Sequence, residues 1–387
     1  MSEIHKFSQR MDHIPFSGIR TIFEECSRLE AAGTDVVHLE IGRPDFDTPS
    51  PIKDAATTAI DQGHVHYTSN YGIDSLREKI AHKFEKDNGV EYNPHGEIIT
   101  TCGATEAILI SVLTLVGPGD EVLIPDPSWT YAPIIRLAGG IPVRYELDAE
   151  NGFEPSLEFI VDVATDRTSV LILNSPHNPT GGVVSDELVT DLATVATEND
   201  WYIISDEIYE KIIYDGCTHH SLAAEPKLYD RTVTVNGVSK AYSMTGWRLG
   251  YIGAPEPIVD GIIRARQYTT TCAPSIAQHA AVEAIGSSLH EPIQKAFAAR
   301  RDLVMDRMDE IPGMDCPDPN GAFYAFPTLP HWYTDDTEFV FELLREAGVA
   351  LVPGSVFGPA GNGRVRIAYS NSEARINEAF NRLTEWI

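Results

Sequence analysis

Residues 233–251 read VTVNGVSKAYSMTGWRLGY and place a single lysine between two strand-like segments. Val233 and Val235 belong to an alternating apolar run, a turn of small residues carries Lys240, and a second apolar run begins at Leu249. Burial of an ammonium group lowers its pKa and leaves a neutral amine that can attack carbonyl carbons. The alternative is a surface turn in which Lys240 points into solvent. Other parts of the sequence are needed to choose between a buried and an exposed lysine.

Strand-like and helical segments alternate from residue 97 onward, and several of the strand candidates are continuous apolar runs. The strand candidates are residues 97–101, 121–124, 141–147, 169–173, 201–205, 232–235 and 249–252. Continuous apolar runs are typical of strands covered on both faces, and the alternation indicates an α/β fold with a mostly parallel sheet. In such sheets ligands bind beyond the carboxyl ends of the strands.

The pattern predicts three parts of the chain. Residues 1–44 form an N-terminal arm, residues 45–287 a large domain, and residues 288–387 a smaller α+β domain against which the arm packs. Helices are predicted at residues 21–32, 51–62, 75–88, 105–116, 186–199, 292–308, 337–347 and from residue 372. Short strands are predicted at residues 36–41, 321–326, 349–352 and 364–369.

The charge of the chain is strongly negative, with 57 acidic and 29 basic residues and a formal net charge of −28. Such a field argues against nucleic acid and against anionic membranes as partners. It suits a salt-rich cytoplasm, where ions screen self-repulsion, although a protein from an ordinary cytoplasm can also be acidic. Loss of the fold in low salt would favour the first interpretation.

The five cysteines (26, 102, 217, 272 and 316) are scattered and never spaced as CxxC. This usage predicts a reducing compartment and no metal site. The N-terminal residues lack an uninterrupted apolar core, so no signal peptide is expected. The longest apolar run, residues 107–116, is too short to span a bilayer, and we expect a cytoplasmic protein.

Polar residues follow the predicted strands at the edge where a ligand would bind. Asn178 lies in the proline-stiffened turn NSPHNPTG (174–181), and Asp206 follows the strand at 201–205. The turn at 103–105 opens a helix whose N-terminus suits a phosphate, which Arg248 could help to neutralise. Individually Asn178 could cap a turn and Asp206 a helix. Together with Lys240 they describe a site for a phosphorylated aromatic aldehyde, pyridoxal phosphate (PLP).

With these residues in place, the sequence resembles the PLP-dependent aminotransferases of fold type I, class I/II, in the branch of archaeal and bacterial aspartate and aromatic aminotransferases. The resemblance covers nearly the whole chain. It rests on IGRPDFDTP (41–49), HYTSNYG (66–72), GATEAI (103–108), PDPSW (125–129), NSPHNPTG (174–181), SDEIYE (205–210), NGVSKAYSMTGWRLGY (236–251) and RVRIAYS (364–370). It implies a large domain with a mostly parallel seven-stranded sheet and a smaller α+β domain.

The resemblance also implies a role for each matching residue. Lys240 would bond covalently to PLP and then act as general base and acid, and Asp206 would keep the ring nitrogen protonated. The implied PLP-binding residues are Gly103, Ala104, Thr105, Trp129, Asn178, Asp206, Tyr209, Lys240, Arg248 and, from the neighbouring subunit of a homodimer, Tyr67. The implied substrate-binding residues are Gly42, Trp129, Asn178 and Arg366, of which Arg366 is preferred over Arg364 as the carboxylate-binding arginine.

The implied function is amino-group transfer from an L-amino acid to a 2-oxo acid such as 2-oxoglutarate, by ping-pong kinetics. Aspartate is the favoured donor, with aromatic amino acids or alanine as alternatives. A PLP-dependent C–S β-lyase would share Lys240 and Asp206. A PLP-sensing regulator would need a DNA-binding extension, which we do not expect for so acidic a chain. A nicotinamide dehydrogenase would need a GxGxxG turn after a strand.

Two positions depart from the family pattern. Gly237 stands where many relatives carry a phosphate-binding serine, and the neighbouring Ser239 is a possible substitute. Arg43 stands where this branch often has an acidic or amide residue. It is either a solvated loop charge or a contact for the side chain of a dicarboxylate substrate.

Overall fold

The computed structural model describes residues 7–387, which contain twelve β-strands and thirteen α-helices. The strands are β1 (Val37–His38), β2 (Ile98–Thr101), β3 (Glu121–Asp126), β4 (Ile141–Glu146), β5 (Thr168–Asn174), β6 (Tyr202–Asp206), β7 (Thr232–Gly237), β8 (Gly250–Gly253), β9 (Tyr324–Ala325), β10 (Val349–Ala350), β11 (Val352–Pro353) and β12 (Val365–Ala368).

The helices lie on both sides of the central strands and dominate the two ends of the chain. They are α1 (Gly18–Ala31), α2 (Ser50–Asp61), α3 (Asp74–Lys83), α4 (Ala104–Leu115), α5 (Tyr131–Ala138), α6 (Leu157–Asp162), α7 (Asp186–Glu198), α8 (Pro226–Tyr229), α9 (Glu256–Arg266), α10 (Ser275–Ala284), α11 (Glu291–Met308), α12 (Asp336–Ala347) and α13 (Glu373–Trp386).

The central sheet has seven strands, as the apolar runs predict. Their order is β2-β8-β7-β6-β5-β3-β4. Only β8 runs antiparallel to its neighbours β2 and β7, so the sheet is mostly parallel and the predicted fold class is confirmed. Smaller sheets join β1 to β10 and β11 to β12 and β9.

The apolar runs are continuous because helices cover both faces of the central sheet. Val170 and Ile172 of β5 pack with α4 and α9 on one face. Leu171 and Leu173 of the same strand pack with α6 and α7 on the other. Alternate residues of one strand therefore enter two different cores, and neither face can be polar.

The register of the sheet brings three strand ends level. Asn174 at the end of β5 pairs with Asp206 at the end of β6, and Asp206 pairs with Val235 of β7. The turn that carries Lys240 follows β7 directly. The polar residues that follow these three strands therefore meet at one edge of the sheet.

Some predicted elements are shorter than expected. The strand predicted at 36–41 is reduced to Val37–His38. Beyond it, backbone carbonyls accept hydrogen bonds from side chains and not from a neighbouring strand. The carbonyl of Glu40 accepts from Arg366, and that of Gly42 accepts from Lys240. The strand predicted at 321–326 is reduced to β9. The helix predicted at 75–88 ends as α3 at Lys83 and continues as one π-helical turn, Phe84–Asn88.

Helix α1 packs against helices from the C-terminal part of the chain. Ile22, Cys26 and Leu29 of α1 share one hydrophobic core with residues of α11, α12 and α13. The domain boundaries at 44/45 and 287/288 stay a prediction. Across residues 7–387, none of the helices combines the length and the apolar character that crossing a membrane requires.

Gly250 offers a test of how the sheet supports the turn at 103–105. A Cβ atom at Gly250 would lie 2.7 Å from the backbone nitrogen of Ala104, whereas one at Gly246 would meet nothing within 4 Å. We expect Gly250→Ala to lower the free energy of unfolding by about 1–3 kcal/mol, the usual cost of overpacking. Gly246→Ala is the control in chemical denaturation, and equal stability of the two variants would contradict this packing.

Candidate active site

A cavity of about 250 Å³ opens at the edge where the ends of β5, β6 and β7 meet. Nine of the residues predicted for the site line it: Gly42, Ala104, Thr105, Trp129, Asn178, Asp206, Tyr209, Lys240 and Arg248. The structure therefore brings together side chains that lie up to 206 positions apart in the sequence. Their individual roles stay predictions.

Lys240 points into the cavity and not into solvent. Its Nζ donates a hydrogen bond of 2.6 Å to the carbonyl oxygen of Gly42 and lies 5.6 Å from the ring centroids of Tyr209 and Phe323. Burial, reinforced by the charges of nearby arginines, lowers the pKa of Lys240 to about 8. A substantial fraction of the amine is therefore neutral near pH 8 and available as a nucleophile or base.

Asp206 is a buried carboxylate at the end of β6. The hydroxyl of Tyr131 donates to its Oδ2 at 2.8 Å, and the N–H of Ile208 donates to its Oδ1 at 3.3 Å. Burial raises the pKa of Asp206 to about 6, and these two hydrogen bonds limit the rise. The group is consequently a carboxylate at neutral pH and suits a cationic partner.

Asn174 ties the neighbouring strand ends to each other. Its Nδ2 donates to the carbonyl oxygen of Asp206 at 2.8 Å, and its Oδ1 accepts from the N–H of Asn178 at 3.0 Å. The side chain of Asn178 is thereby held at the cavity wall. Its Oδ1 accepts a hydrogen bond of 3.1 Å from Nη1 of Arg366.

Arg366 is a fully buried cation on β12. Its Nη2 donates to the carbonyl oxygen of Glu40 at 2.6 Å, and its guanidinium lies 4.7 Å from the ring centroid of Tyr324. Over residues 7–387, its hydrogen bonds go to an amide and a carbonyl oxygen and not to a carboxylate, and its Nε lacks a partner. A buried cation with unfilled bonding capacity suits a ligand carboxylate. Arg364 instead donates to the carbonyl of Phe326, outside this arrangement.

The turn at 103–105 has the geometry of an anion cradle. Gly103 has a φ of 85° and precedes the first residue of α4. A Cβ atom on Gly103 would lie 2.5 Å from Nη2 of Arg248, so the guanidinium packs directly against this turn. Free N–H groups at a helix N-terminus and an arginine beside them suit a phosphate.

Gly237 leaves little room for the serine that many relatives carry. A Cβ atom there would lie 3.0 Å from both the Cα of Gly250 and the carbonyl oxygen of Leu249. Ser239 does line the cavity, so it is placed to take over the missing contact. That substitution stays a prediction.

Tyr67 lies apart from the other predicted residues of its own chain. Its side chain is 89% exposed and belongs to a separate surface groove that includes His64 and Asp74. Trp129 lies at the mouth of the cavity and is 41% exposed. Tyr209 is buried, with its hydroxyl 2.9 Å from that of Tyr324.

Three residues that matter to the geometry were missed by sequence reasoning: Tyr131, Asn174 and Tyr324. Tyr131 lies 75 positions before Asp206, and no local sequence pattern predicts that its hydroxyl donates to that carboxylate. Asn174 was recognised only as the start of a turn. Its position at the end of a strand, one strand away from Asp206, was the signal available.

Comparison with known proteins identifies the family of the chain. The family model described as aminotransferase class I and II matches residues 34–383. An aspartate aminotransferase of Pyrococcus abyssi is 41% identical over 97% of both chains, and aromatic-amino-acid aminotransferase 2 of Thermococcus litoralis is 39% identical over 97% of both. The solved aspartate aminotransferase from Thermus thermophilus with maleate has a TM-score of 0.94 and 36% identity, covering 99% of this chain and 100% of that one.

The chain belongs to the aminotransferase class I and II family. It is a PLP-dependent aminotransferase of fold type I, as the resemblance implied. The residues of the site fit that cofactor chemically: an amine with a lowered pKa for its aldehyde, a buried carboxylate for its ring nitrogen, and an anion cradle for its phosphate.

Tyr131 should matter for catalysis through Asp206. In Tyr131→Phe the carboxylate loses a donor, and a hydrogen bond to a charged group contributes about 1.5–3 kcal/mol. We expect kcat/KM to fall by about ten- to a hundredfold. Tyr145→Phe is the matched control, because the Tyr145 hydroxyl is also buried but donates to the carbonyl of Ile172. An equal loss of activity in both variants would mean that the Asp206 contact has no special role.

The lowered pKa of Lys240 can be measured in cofactor-free protein by the pH dependence of amine acylation, read by peptide mass spectrometry. Because the folded state disfavours the ammonium form, acylation of Lys240 should rise through a midpoint near pH 8, about two and a half pH units below an ordinary lysine. The exposed Lys79 serves as the reference in the same sample. A midpoint for Lys240 near pH 10 would contradict the proposed environment.

Proposed function

We propose that this aminotransferase moves the amino group of an L-amino acid to a 2-oxo acid such as 2-oxoglutarate by a ping-pong mechanism with PLP. Aspartate is the favoured donor, with aromatic amino acids or alanine as alternatives. The observation that carries the proposal is the buried guanidinium of Arg366, which has aromatic and carbonyl neighbours but no carboxylate partner within residues 7–387. A substrate α-carboxylate supplies that partner.

The residues that would hold PLP surround the cavity. Gly103, Ala104, Thr105 and Arg248 would bind its phosphate, and Asp206 would hold a proton on its ring nitrogen. Asn178 and Tyr209 would bind its ring oxygen, and Trp129 would cover one face. When bound, PLP supplies an electron-withdrawing ring that accepts the electron pair released at the substrate Cα.

Lys240 would carry the proton during the reaction. In cofactor-free protein its amine lies 2.6 Å from the carbonyl of Gly42, in the lining of the same cavity as Asn178. Its lowered pKa makes it a competent base near neutral pH, and the ammonium that forms can return the proton as an acid. Arg366 and Asn178 would fix the substrate so that its Cα proton faces this amine.

Arg43 supports aspartate as the preferred donor. Its side chain lies in the lining of the cavity although the residue is largely exposed. This position favours the second interpretation of the sequence departure, a contact for the second carboxylate of a dicarboxylic substrate. The relatives do not separate the donors, since an aspartate and an aromatic aminotransferase are similar to this chain to nearly the same degree.

A homodimer is part of the proposal. Tyr67 lies in a groove of its own and is 89% exposed, which suits a residue that reaches the phosphate bound by a neighbouring subunit.

We also propose a reducing cytoplasm as the site of action. All five cysteines are free in the structure, which agrees with such a compartment.

The donor can be identified by half-reactions followed in the visible absorption of the bound cofactor. L-aspartate, L-glutamate, L-alanine, L-phenylalanine and L-cysteine are added singly to purified enzyme in high salt, without an oxo acid. We expect stoichiometric conversion to the amine form of the cofactor, fastest with aspartate. Arg43→Gln should slow the reaction with aspartate by about tenfold, corresponding to one exposed charge contact, and leave phenylalanine unchanged.

Two outcomes would overturn parts of the proposal. Release of pyruvate from cysteine with no conversion of the cofactor would identify a C–S lyase. Equal rates with aspartate and phenylalanine, both unaffected by Arg43→Gln, would remove aspartate as the preferred donor and Arg43 as its contact.

A further inference from the structure

A second cluster of reactive side chains lies where α1 packs beside β1, outside the active-site cavity. Cys26 and Glu30 are one helical turn apart on α1, and His38 and Glu40 are two residues apart at β1 and its extension. Residues spaced in these two ways share one face of a helix and one side of an extended segment. Two pairs of metal-binding side chains therefore face each other.

Three of these residues offer one ligand atom each within 4.8 Å of one another: Cys26, His38 and Glu40. A thiolate, an imidazole and a carboxylate form a donor set that suits zinc and other divalent transition metals. Cys26 is 1% exposed and the side chain of Glu40 is also 1% exposed, whereas the imidazole of His38 is 27% exposed. Cys26 and Glu40 would therefore be buried ligands, and the partly exposed His38 lies where a metal ion could enter from solvent.

The two ring nitrogens of His38 face different carboxylates. Nδ1 lies 2.8 Å from Oε1 of Glu40, and Nε2 lies 3.1 Å from Oε1 of Glu30. A histidine that binds a metal through one nitrogen usually donates the other N–H to a carboxylate. Glu30 already occupies that supporting position.

Glu40 provides an independent sign that a ligand is missing. Its side chain is buried, yet Oε2 has no hydrogen-bond partner among the described residues 7–387. A buried carboxylate oxygen without a partner is costly, and a metal ion would satisfy it.

In a second group with metal-binding potential, Glu207, Glu210 and His219, the oxygens of both carboxylates have partners, although Nδ1 of His219 lacks one among the described residues. The ammonium of Lys83 contacts Glu210, and Asn88 donates to both glutamates. That group already contains the ammonium of Lys83, whereas in the cluster around Cys26, within residues 7–387, only a protonated His38 can serve as the cation. The comparison singles out the cluster around Cys26.

We propose that Cys26, His38 and Glu40 form a binding site for a divalent transition metal of the zinc class, with Glu30 as the outer carboxylate that orients His38. Three protein ligands leave a fourth position for water. Zinc would take the place of the thiol proton of Cys26 and of any second proton on His38. The spacing of the cysteines alone had predicted no metal site, because only one cysteine contributes and the other donors come from a different element.

The site would also be coupled to substrate binding. The carbonyl of Glu40 accepts the 2.6 Å hydrogen bond from Nη2 of Arg366, the arginine assigned to the substrate carboxylate. A metal held by the Glu40 side chain would fix the backbone that holds this arginine.

The test uses full-length, cofactor-loaded protein in salt-rich buffer, which suppresses weak binding of cations to the acidic surface. Zinc retained after dialysis is measured per chain by elemental mass spectrometry, and Kd by calorimetry. We expect one zinc per chain in the wild type and in Cys316→Ser, a control cysteine that packs at the edge of the same hydrophobic core. Cys26→Ser and His38→Gln should each weaken binding by more than about a hundredfold, and Glu30→Gln by about tenfold.

Cobalt supplies a readout that depends on the thiolate itself. Wild-type protein titrated with cobalt should develop a thiolate-to-cobalt charge-transfer absorption that Cys26→Ser lacks, and the difference spectrum removes the contribution of the cofactor. His38→Gln changes a partly exposed residue and keeps the test usable if Cys26→Ser fails to fold. Absence of retained zinc in the wild type, or equal retention in every variant, would overturn the site and leave a protonated His38 as the cation between the two glutamates.

Discussion

The buried carboxylate of Asp206 is the constraint on which the active site depends. A charge at the end of a buried strand has to be stabilised by donors, and the neighbouring elements provide them: Tyr131 from α5 and the N–H of Ile208 from the following turn. Asn174 on the adjacent strand fixes the Asp206 backbone and, through its other end, the turn that carries Asn178. The position of the carboxylate is thus determined from three sides.

Much of this arrangement could be predicted from the sequence. The seven strands, their mostly parallel order and the edge that holds the site all follow from apolar runs that alternate with helices. Lys240 and Asp206 could be selected because each is an ionisable group next to a buried strand. A charge in that position is costly unless a partner or a ligand stabilises it. Gly103 could be selected because a glycine before a helix marks a turn.

What the sequence does not reveal are contacts whose geometry depends on tertiary packing. The hydroxyl of Tyr131 reaches Asp206 because α5 folds back over the sheet, and α5 was not predicted. The strand around His38 was predicted too long, because residues 40 and 42 give their carbonyls to side chains from distant elements. For the same reason, the cluster of Cys26, His38 and Glu40 is invisible in sequence spacing.

The charge distribution of the whole chain contrasts with that of the cavity. The chain carries a net charge of −28, yet Arg43, Lys240 and Arg248 line the cavity and Arg366 lies behind Asn178. The proposed ligands, amino acids, oxo acids and the cofactor phosphate, would present anionic groups to these side chains. Salt screens the long-range repulsion from the surface and the exposed charges of Arg43 and Arg248, but it acts less on the buried Arg366. Binding of a ligand carboxylate to Arg366 would therefore tolerate a salt-rich medium.

The central claim is that Lys240 is the residue that bonds to the cofactor. Borohydride reduction of the holoenzyme, followed by proteolysis and mass spectrometry, fixes the cofactor to whichever of the nine lysines holds it. The account predicts one modified site per chain, at Lys240. Modification of another lysine, such as the buried Lys83, or no stoichiometric modification at all, would contradict it.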